Sequence, residues 1–280
     1  MNQYAIGLYE KAIPKNMSWS EKLLCAKDCN YDFLEISIDE TEDKLSRLNW
    51  TKEQRREMLD LMRNLDLPIR SMCLSAHRKY PFGASDKAVR DRGMEIMEKA
   101  ISFADDLGIR IIQLAGYDVY YEEGNEKSRE RFIENLEKAT KMAATIGILM
   151  GFETMETEFM NTTEKAMQYV HLIGSPYLGV YPDSGNLTNA SLLYNKSVAE
   201  DLETGRGHIV AMHLKETLPG VFREVPFLTG HVDFEGVIRK ARDLGVRRFV
   251  TEMWDVGKDS WKEDILFANK TMRAILDKQN

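Results

Sequence analysis

Four residues in this chain are matched in chemistry and in place: Glu153, Asp183, His213 and Glu252. Each stands at or just beyond the outgoing end of a short apolar run, as Glu153 does after Ile148-Leu-Met-Gly-Phe152. Thirty residues separate Glu153 from Asp183 and Asp183 from His213, and thirty-nine separate His213 from Glu252. About thirty residues is one strand–helix repeat, so the four should converge on one side of a common mouth. Three carboxylates and one imidazole form an oxygen-rich set for a divalent cation, Mn²⁺, Mg²⁺, Co²⁺ or Zn²⁺, with positions left for water or substrate oxygens. No thiolate belongs to the set, which argues against a closed structural zinc site. Any one of these acids alone reads as a helix cap or a solvated residue; four at corresponding strand ends read as a metal centre.

A cation bridging a carbonyl and its neighbouring hydroxyl acidifies the adjacent C–H and stabilises the enediolate that follows. Glu153 and Glu252, on different strands, are placed to approach such a carbon from opposite faces, one removing a proton and the other returning it. That pattern inverts the centre. His208 stands five residues before His213, so the two side chains point to opposite faces of the strand. His208 also lies at the incoming end and is expected to be structural, near the bottom or at a helix interface.

The elements that must position these residues are legible as alternating apolar runs and segments of helical period. Predicted strands are Tyr4 to Tyr9, Phe33 to Ile38, Ile69 to Leu74, Arg110 to Ala115, Ile148 to Glu153, Leu178 to Tyr181, His208 to Thr217 and Arg248 to Glu252. Helices are expected between them, with Ser18, Thr51 and Thr162 or Thr163 as caps and Gly108 and Gly147 as stops. A long and irregular connection is expected between strand six and a helix near Val198 to Thr204. Eight units without a composition break predict a single closed (β/α)₈ TIM barrel over residues 1–280, with its site at the C-terminal ends of the strands. An open doubly wound sheet is the alternative; no G-x-G-x-x-G follows the first strand to support it.

Composition narrows the partners. With 38 Lys+Arg against 45 Asp+Glu the net charge is −7, which argues against a nucleic-acid backbone and leaves room for a local basic pocket. Three sparse cysteines suggest a reducing compartment, and Cys25 and Cys29 read as small buried side chains. The N-terminus lacks an apolar targeting region and no run is long enough to span a bilayer, so a cytoplasmic protein without membrane attachment is expected. Trp254 and Trp261 read either as core residues or as exposed aromatics for a homodimer.

Longer motifs carry a resemblance. Gly7-Leu-Tyr-Glu-Lys-Ala12, Ser71-Met-Cys-Leu-Ser-Ala-His-Arg78, Ile112-Gln-Leu-Ala-Gly-Tyr-Asp-Val-Tyr-Tyr121, Tyr181-Pro-Asp-Ser-Gly-Asn186, Gly207-His-Ile-Val-Ala-Met-His213 and Thr251-Glu-Met-Trp254 resemble the L-ribulose-5-phosphate 3-epimerases of bacterial ascorbate and L-xylulose use. These are also called L-xylulose-5-phosphate 3-epimerases. The resemblance covers the whole length. It implies a xylose-isomerase-like barrel, a divalent metal on Glu153, Asp183, His213 and Glu252, and the two glutamates as the acid–base pair. It also implies epimerisation at C3 of a ketopentose 5-phosphate, a small sugar phosphate; some of the group have been labelled hexulose-6-phosphate isomerases. Related epimerases of unphosphorylated ketoses carry a histidine three positions after the aspartate ligand and an arginine six after the histidine ligand. Here Asn186 and Pro219 stand in those places, so a different substrate head is expected. Candidates to hold a phosphate are His77, Arg78 and Lys79 after strand three, Lys215 and Arg223 after strand seven, and Asn186. Tyr117, Tyr120 and Tyr121 are expected to wall the pocket or pack beside it. An aldose–ketose isomerase on the same site, an abasic-site nuclease and a non-catalytic sugar-binding protein are the competing readings.

Overall fold

The computed structural model describes residues 4–279. Eight parallel strands lie at its centre: β1 (Ala5–Tyr9), β2 (Phe33–Ile38), β3 (Ile69–Leu74), β4 (Ile111–Ala115), β5 (Leu149–Glu153), β6 (Leu178–Tyr181), β7 (Met212–Leu214) and β8 (Arg248–Thr251). They are hydrogen-bonded in the order β6-β5-β4-β3-β2-β1-β8-β7. The outer pair, β6 and β7, meet only through the parallel bridges Val180–Ile209 and Asp183–His213, which bring the sheet nearly to closure. Pro182 explains part of this thinness, since it has no N–H to give; its carbonyl instead accepts from His213 N at 2.9 Å. The ten-residue run expected as strand seven is thus three residues of strand preceded by an irregular approach.

Helices cover the outside: α1 (Trp19–Asp28), α2 (Glu42–Ser46), α3 (Lys52–Leu65), α4 (Lys87–Leu107), α5 (Glu126–Ile146), α6 (Thr163–Ile173), α7 (Ser184–Tyr194), α8 (Val198–Glu203), α9 (Phe234–Asp243) and α10 (Trp261–Asp277). Ser18, Thr51, Asn125 and Ser197 each close a capping box, and Thr162 caps α6. Gly108 and Gly147 end α4 and α5 at φ of 73° and 79°, a left-handed conformation that side chains resist.

Alternation along each strand sorts the side chains. Leu34, Ile36 and Ile38 of β2 face the helices and join the main apolar core. Phe33, Cys73, Ile111, Tyr181, Ala211 and Val250 form a second cluster inside the barrel. Above this floor the inward positions turn polar, with Glu35, Ser71, Gln113, Glu153 and His213 all buried. Gly151 makes room for part of that layer, because a Cβ there would lie 2.6 Å from Val210 Cγ2 and 3.1 Å from Tyr181 Cβ.

One element departs from expectation. The connection after β6 contains α7, whose residues Ser-Gly-Asn-Leu-Thr-Asn-Ala-Ser-Leu-Leu-Tyr include many weak helix formers. Asp183 starts it, its side chain accepting from Asn186 N, and burial of Leu187 and Ala190 holds it down. Tertiary packing overrides propensity here.

Candidate metal centre

Glu153 ends β5, Asp183 follows β6 as the cap of α7, His213 is the middle residue of β7, and Glu252 follows β8. All four are buried, and one donor atom from each lies within 4.8 Å of the others. Ligands about 2.0–2.2 Å from one cation lie at most ~4.4 Å apart, so small side-chain adjustments close this set on a single ion. His213 Nδ1 is 3.3 Å from Glu153 Oε1 and 3.5 Å from Glu252 Oε2. Asp183 Oδ2 and Glu252 Oε2 are buried without a hydrogen-bond partner. Buried acceptors are nearly always satisfied, and carboxylate oxygens left without a hydrogen bond in one buried cluster are what a cation would satisfy. The donor set therefore fits a divalent metal ion.

Lys215 enters the same cluster. Its buried ammonium lies 3.1 Å from Asp183 Oδ1 and 3.4 Å from Glu252 Oε2, and donates to Asn186 Oδ1 at 2.9 Å. Asn186 in turn donates its amide to Thr154 O, which fixes it. These contacts separate the two glutamates electrostatically. Burial raises the Glu153 carboxyl and the neighbouring Glu252 charge raises it further. Burial opposes ionisation of Glu252 too, but Lys215 and His213 outweigh it and hold that carboxyl well below the usual range. Burial likewise raises Asp183, against the pull of Lys215.

Two residues that the sequence did not single out complete the centre. Gln113 of β4 donates from Nε2 to Glu153 Oε2. Glu35 of β2 pairs with His213 Nε2 at 2.6 Å. The available signal was a charged residue inside the apolar run Phe33-Leu-Glu-Ile-Ser-Ile38, where an unpaired carboxylate would be costly.

A cleft above the cluster is lined by Tyr9, Lys11, Cys73, Arg78, Glu153, Glu156, Asn186, Lys215, Arg223, Glu252 and Trp254, among others. Arg78 lies over the rings of Tyr117 and Tyr120, 5.7 and 5.1 Å from their centroids, and its Nε has no partner. Glu156 accepts from the hydroxyls of Tyr117 and Tyr120, whereas Tyr121 reaches outward to Glu40. Arg223 is exposed with its guanidinium 5.9 Å from the Trp254 ring.

Other expected phosphate contacts stand elsewhere. His77 is buried against Phe82 with Nε2 3.1 Å from Gly93 O, and burial lowers it to about 4. It lies in the 3-10 turn Ser75–Arg78 that follows β3, and its side chain is turned from the cleft into the packing under α4. Lys79 is exposed, with its ammonium over Tyr80. Neither lines the cleft. His208 lies at the incoming end of its segment with its ring 5.7 Å from that of His171 on α6, away from the cluster. Trp254 stands edge-on to Tyr9 at the cleft wall, and Trp261 packs half-buried on the main core, so neither projects freely from the surface.

Comparison with known proteins agrees with this geometry. Residues 24–271 match the family described as xylose isomerase-like TIM barrel. The chain is 43% identical over 277 residues to the L-ribulose-5-phosphate 3-epimerase UlaE of Escherichia coli strain K12, covering 99% of this chain and 96% of that protein. Among solved structures, a D-psicose 3-epimerase in the presence of D-fructose superposes with a TM-score of 0.80 at 16% identity, covering 97% of this chain and 99% of the other. An L-ribulose 3-epimerase superposes at 0.74 and 17%, covering 99% and 95%. These two likenesses speak for the fold. The chain belongs to the xylose isomerase-like TIM barrel family and, within it, to the L-ribulose-5-phosphate 3-epimerases.

Proposed function

We propose that this protein is a sugar-phosphate epimerase that inverts C3 of a ketopentose 5-phosphate, interconverting L-xylulose 5-phosphate and L-ribulose 5-phosphate. The observation that carries the reading is the buried quartet Glu153, Asp183, His213 and Glu252, with its two glutamates on separate strands. The relative's name supplies the substrate class. Glu153, Asp183, His213 and Glu252 would hold a divalent cation, Mn²⁺, Co²⁺, Zn²⁺ or Mg²⁺, which would supply the positive charge that acidifies the C3–H bond.

The side chains do the rest. One glutamate takes the C3 proton while the other returns one to the opposite face, and the roles exchange in the reverse direction. Gln113 holds the Glu153 carboxylate through its amide. Lys215 has its charge engaged by Asp183, Asn186 and Glu252, which supports a place beside the reacting carbons rather than at a distant phosphate. Arg78, with an unpartnered Nε at the cleft, and Arg223 across it are the better phosphate contacts. One catalytic domain spans the chain on this reading. Among the described residues no helix is long and apolar enough to cross a membrane and all three cysteines are free, which supports a cytoplasmic setting.

An aldose–ketose isomerase would share the enediolate but return the proton to another carbon. Incubation of L-ribulose 5-phosphate in D₂O with Mn²⁺ separates the two. Deuterium at C3 with L-xylulose 5-phosphate as product is expected; an aldose 5-phosphate, or no turnover with any of the four cations, would overturn the proposal.

A further inference from the structure

The inner layer of the barrel holds a carboxylate that the chemistry above does not use. Glu35 is fully buried at an inward position of β2, a place that bulky branched side chains ordinarily fill in such barrels. A carboxylate is tolerated there only if it is paired and hydrogen-bonded. Its Oε2 accepts from Ser71 Oγ at 2.6 Å and from the Tyr181 hydroxyl at 2.9 Å. With that oxygen taken, Oε1 is left for His213 Nε2 at 2.6 Å. The imidazole is further held between rings, 4.8 Å from Tyr181 and 6.2 Å from Tyr9.

We propose that Glu35 is the positioning residue of the metal centre: it takes the Nε2–H of His213 as a hydrogen bond and so commits Nδ1 to the cation. This rests on the metal reading of the quartet. A neutral imidazole carries one proton, and a proton kept on Nε2 leaves the lone pair on Nδ1. Nδ1 is the atom that faces Glu153 and Glu252, at 3.3 and 3.5 Å. A carboxylate behind a ligating histidine fixes its tautomer and ring orientation and raises its basicity as a ligand. Ser71 and Tyr181 aim that carboxylate from two other strands, so the orientation of one ligand is set by β2, β3 and β6 together.

A buried ion pair that merely stabilises the barrel would leave metal affinity alone, and the two roles separate in Glu35→Gln. The amide keeps the shape but removes the charge, and with its oxygen accepting from Ser71 and Tyr181 it turns its NH2 toward Nε2, so the acceptor for Nε2–H is lost. Purified full-length protein, stripped of metal, is titrated with Zn²⁺ against a competing chromophoric chelator, with circular dichroism and Tm of the metal-free form as controls on folding. We expect Zn²⁺ affinity to fall ~10–100-fold with the fold retained. Independently, ¹⁵N-histidine-labelled wild type loaded with Zn²⁺ should show His213 protonated at Nε2 and bound through Nδ1, its signals assigned by their loss in His213→Asn. Wild-type affinity in Glu35→Gln, or a metal-bound Nε2, overturns the role of Glu35 and leaves the metal centre standing. A wild type that takes up no Zn²⁺ through His213 overturns both.

Discussion

Two buried charge clusters lie at the same end of this barrel, and they are built on opposite plans. In the first, one carboxylate serves three cations. Glu10, just after β1, accepts from Lys22 at 2.9 Å, Lys44 at 2.6 Å, Arg47 at 2.6 Å and the Ser37 amide at 3.0 Å. Burial opposes its ionisation, but Arg47 and the two lysines outweigh it and hold the carboxyl well below the usual range. Lys22 and Arg47 also stand over the Trp19 ring. Both carboxylate oxygens are engaged. In the second cluster three carboxylates share one lysine and one histidine, and two oxygens have no hydrogen bond. Buried charge is therefore common to a structural and a functional site in one molecule. What distinguishes them is acceptor capacity left over after the protein has paired what it can.

Matched substitutions at the two clusters sharpen that contrast. The largest effect belongs to Glu153→Gln, which keeps the shape but cannot carry the proton. Turnover should fall ~10²–10⁴-fold while Tm of the metal-free protein stays near that of wild type. Initial rates with L-ribulose 5-phosphate, beside a thermal melt, check this; undiminished turnover would remove Glu153 from the chemistry.

Glu10→Gln should do the reverse. It leaves Lys22, Lys44 and Arg47 without their shared anion, and breaking a buried pair costs about 3–5 kcal/mol. Urea unfolding should show a loss of that order, with turnover per folded molecule retained. Were Glu10→Gln to lose turnover at full folding instead, the division between the clusters would fail.

His77 gives the smallest and most specific effect. Its folded value of about 4 lies below the ordinary value of 6.5, because burial disfavours the imidazolium. Unfolded chains therefore bind this proton first as pH falls. The stability it contributes is complete above about pH 6.5, declines as pH falls toward 4, and is exhausted below that, a swing of about 3 kcal/mol. His77→Gln should flatten the acid slope of unfolding free energy across that window. An unchanged slope would contradict the neutral, buried placement.

Much of this architecture was legible in the residues because the patterns are local. The caps Ser18 and Thr51 and the stops Gly108 and Gly147 act within a few residues, and a helix begins or ends at each of them. The quartet was legible because strand ends recur at a repeat length. Helix α7 was not, since its sequence argues against a helix and only the Asp183 cap and the burial of Leu187 and Ala190 make one. Among the phosphate candidates, Arg78, Lys215, Arg223 and Asn186 line the cleft and His77 and Lys79 do not, a distinction set by the 3-10 turn Ser75–Arg78, which sends neighbouring side chains in different directions.

The sequence by itself determined the alternation of strands and helices, and through it which four side chains could share one mouth. These follow from short-range periodicity and from the fixed rise of a strand. Only the tertiary structure decided what surrounds them. Glu35 reaches His213 across 178 positions and Lys215 drops between Asp183 and Glu252. Such contacts arise from closing the sheet, where buried side chains remote along the chain meet at a few ångströms. Pairing there is set by which inward position faces which, and no local pattern records it.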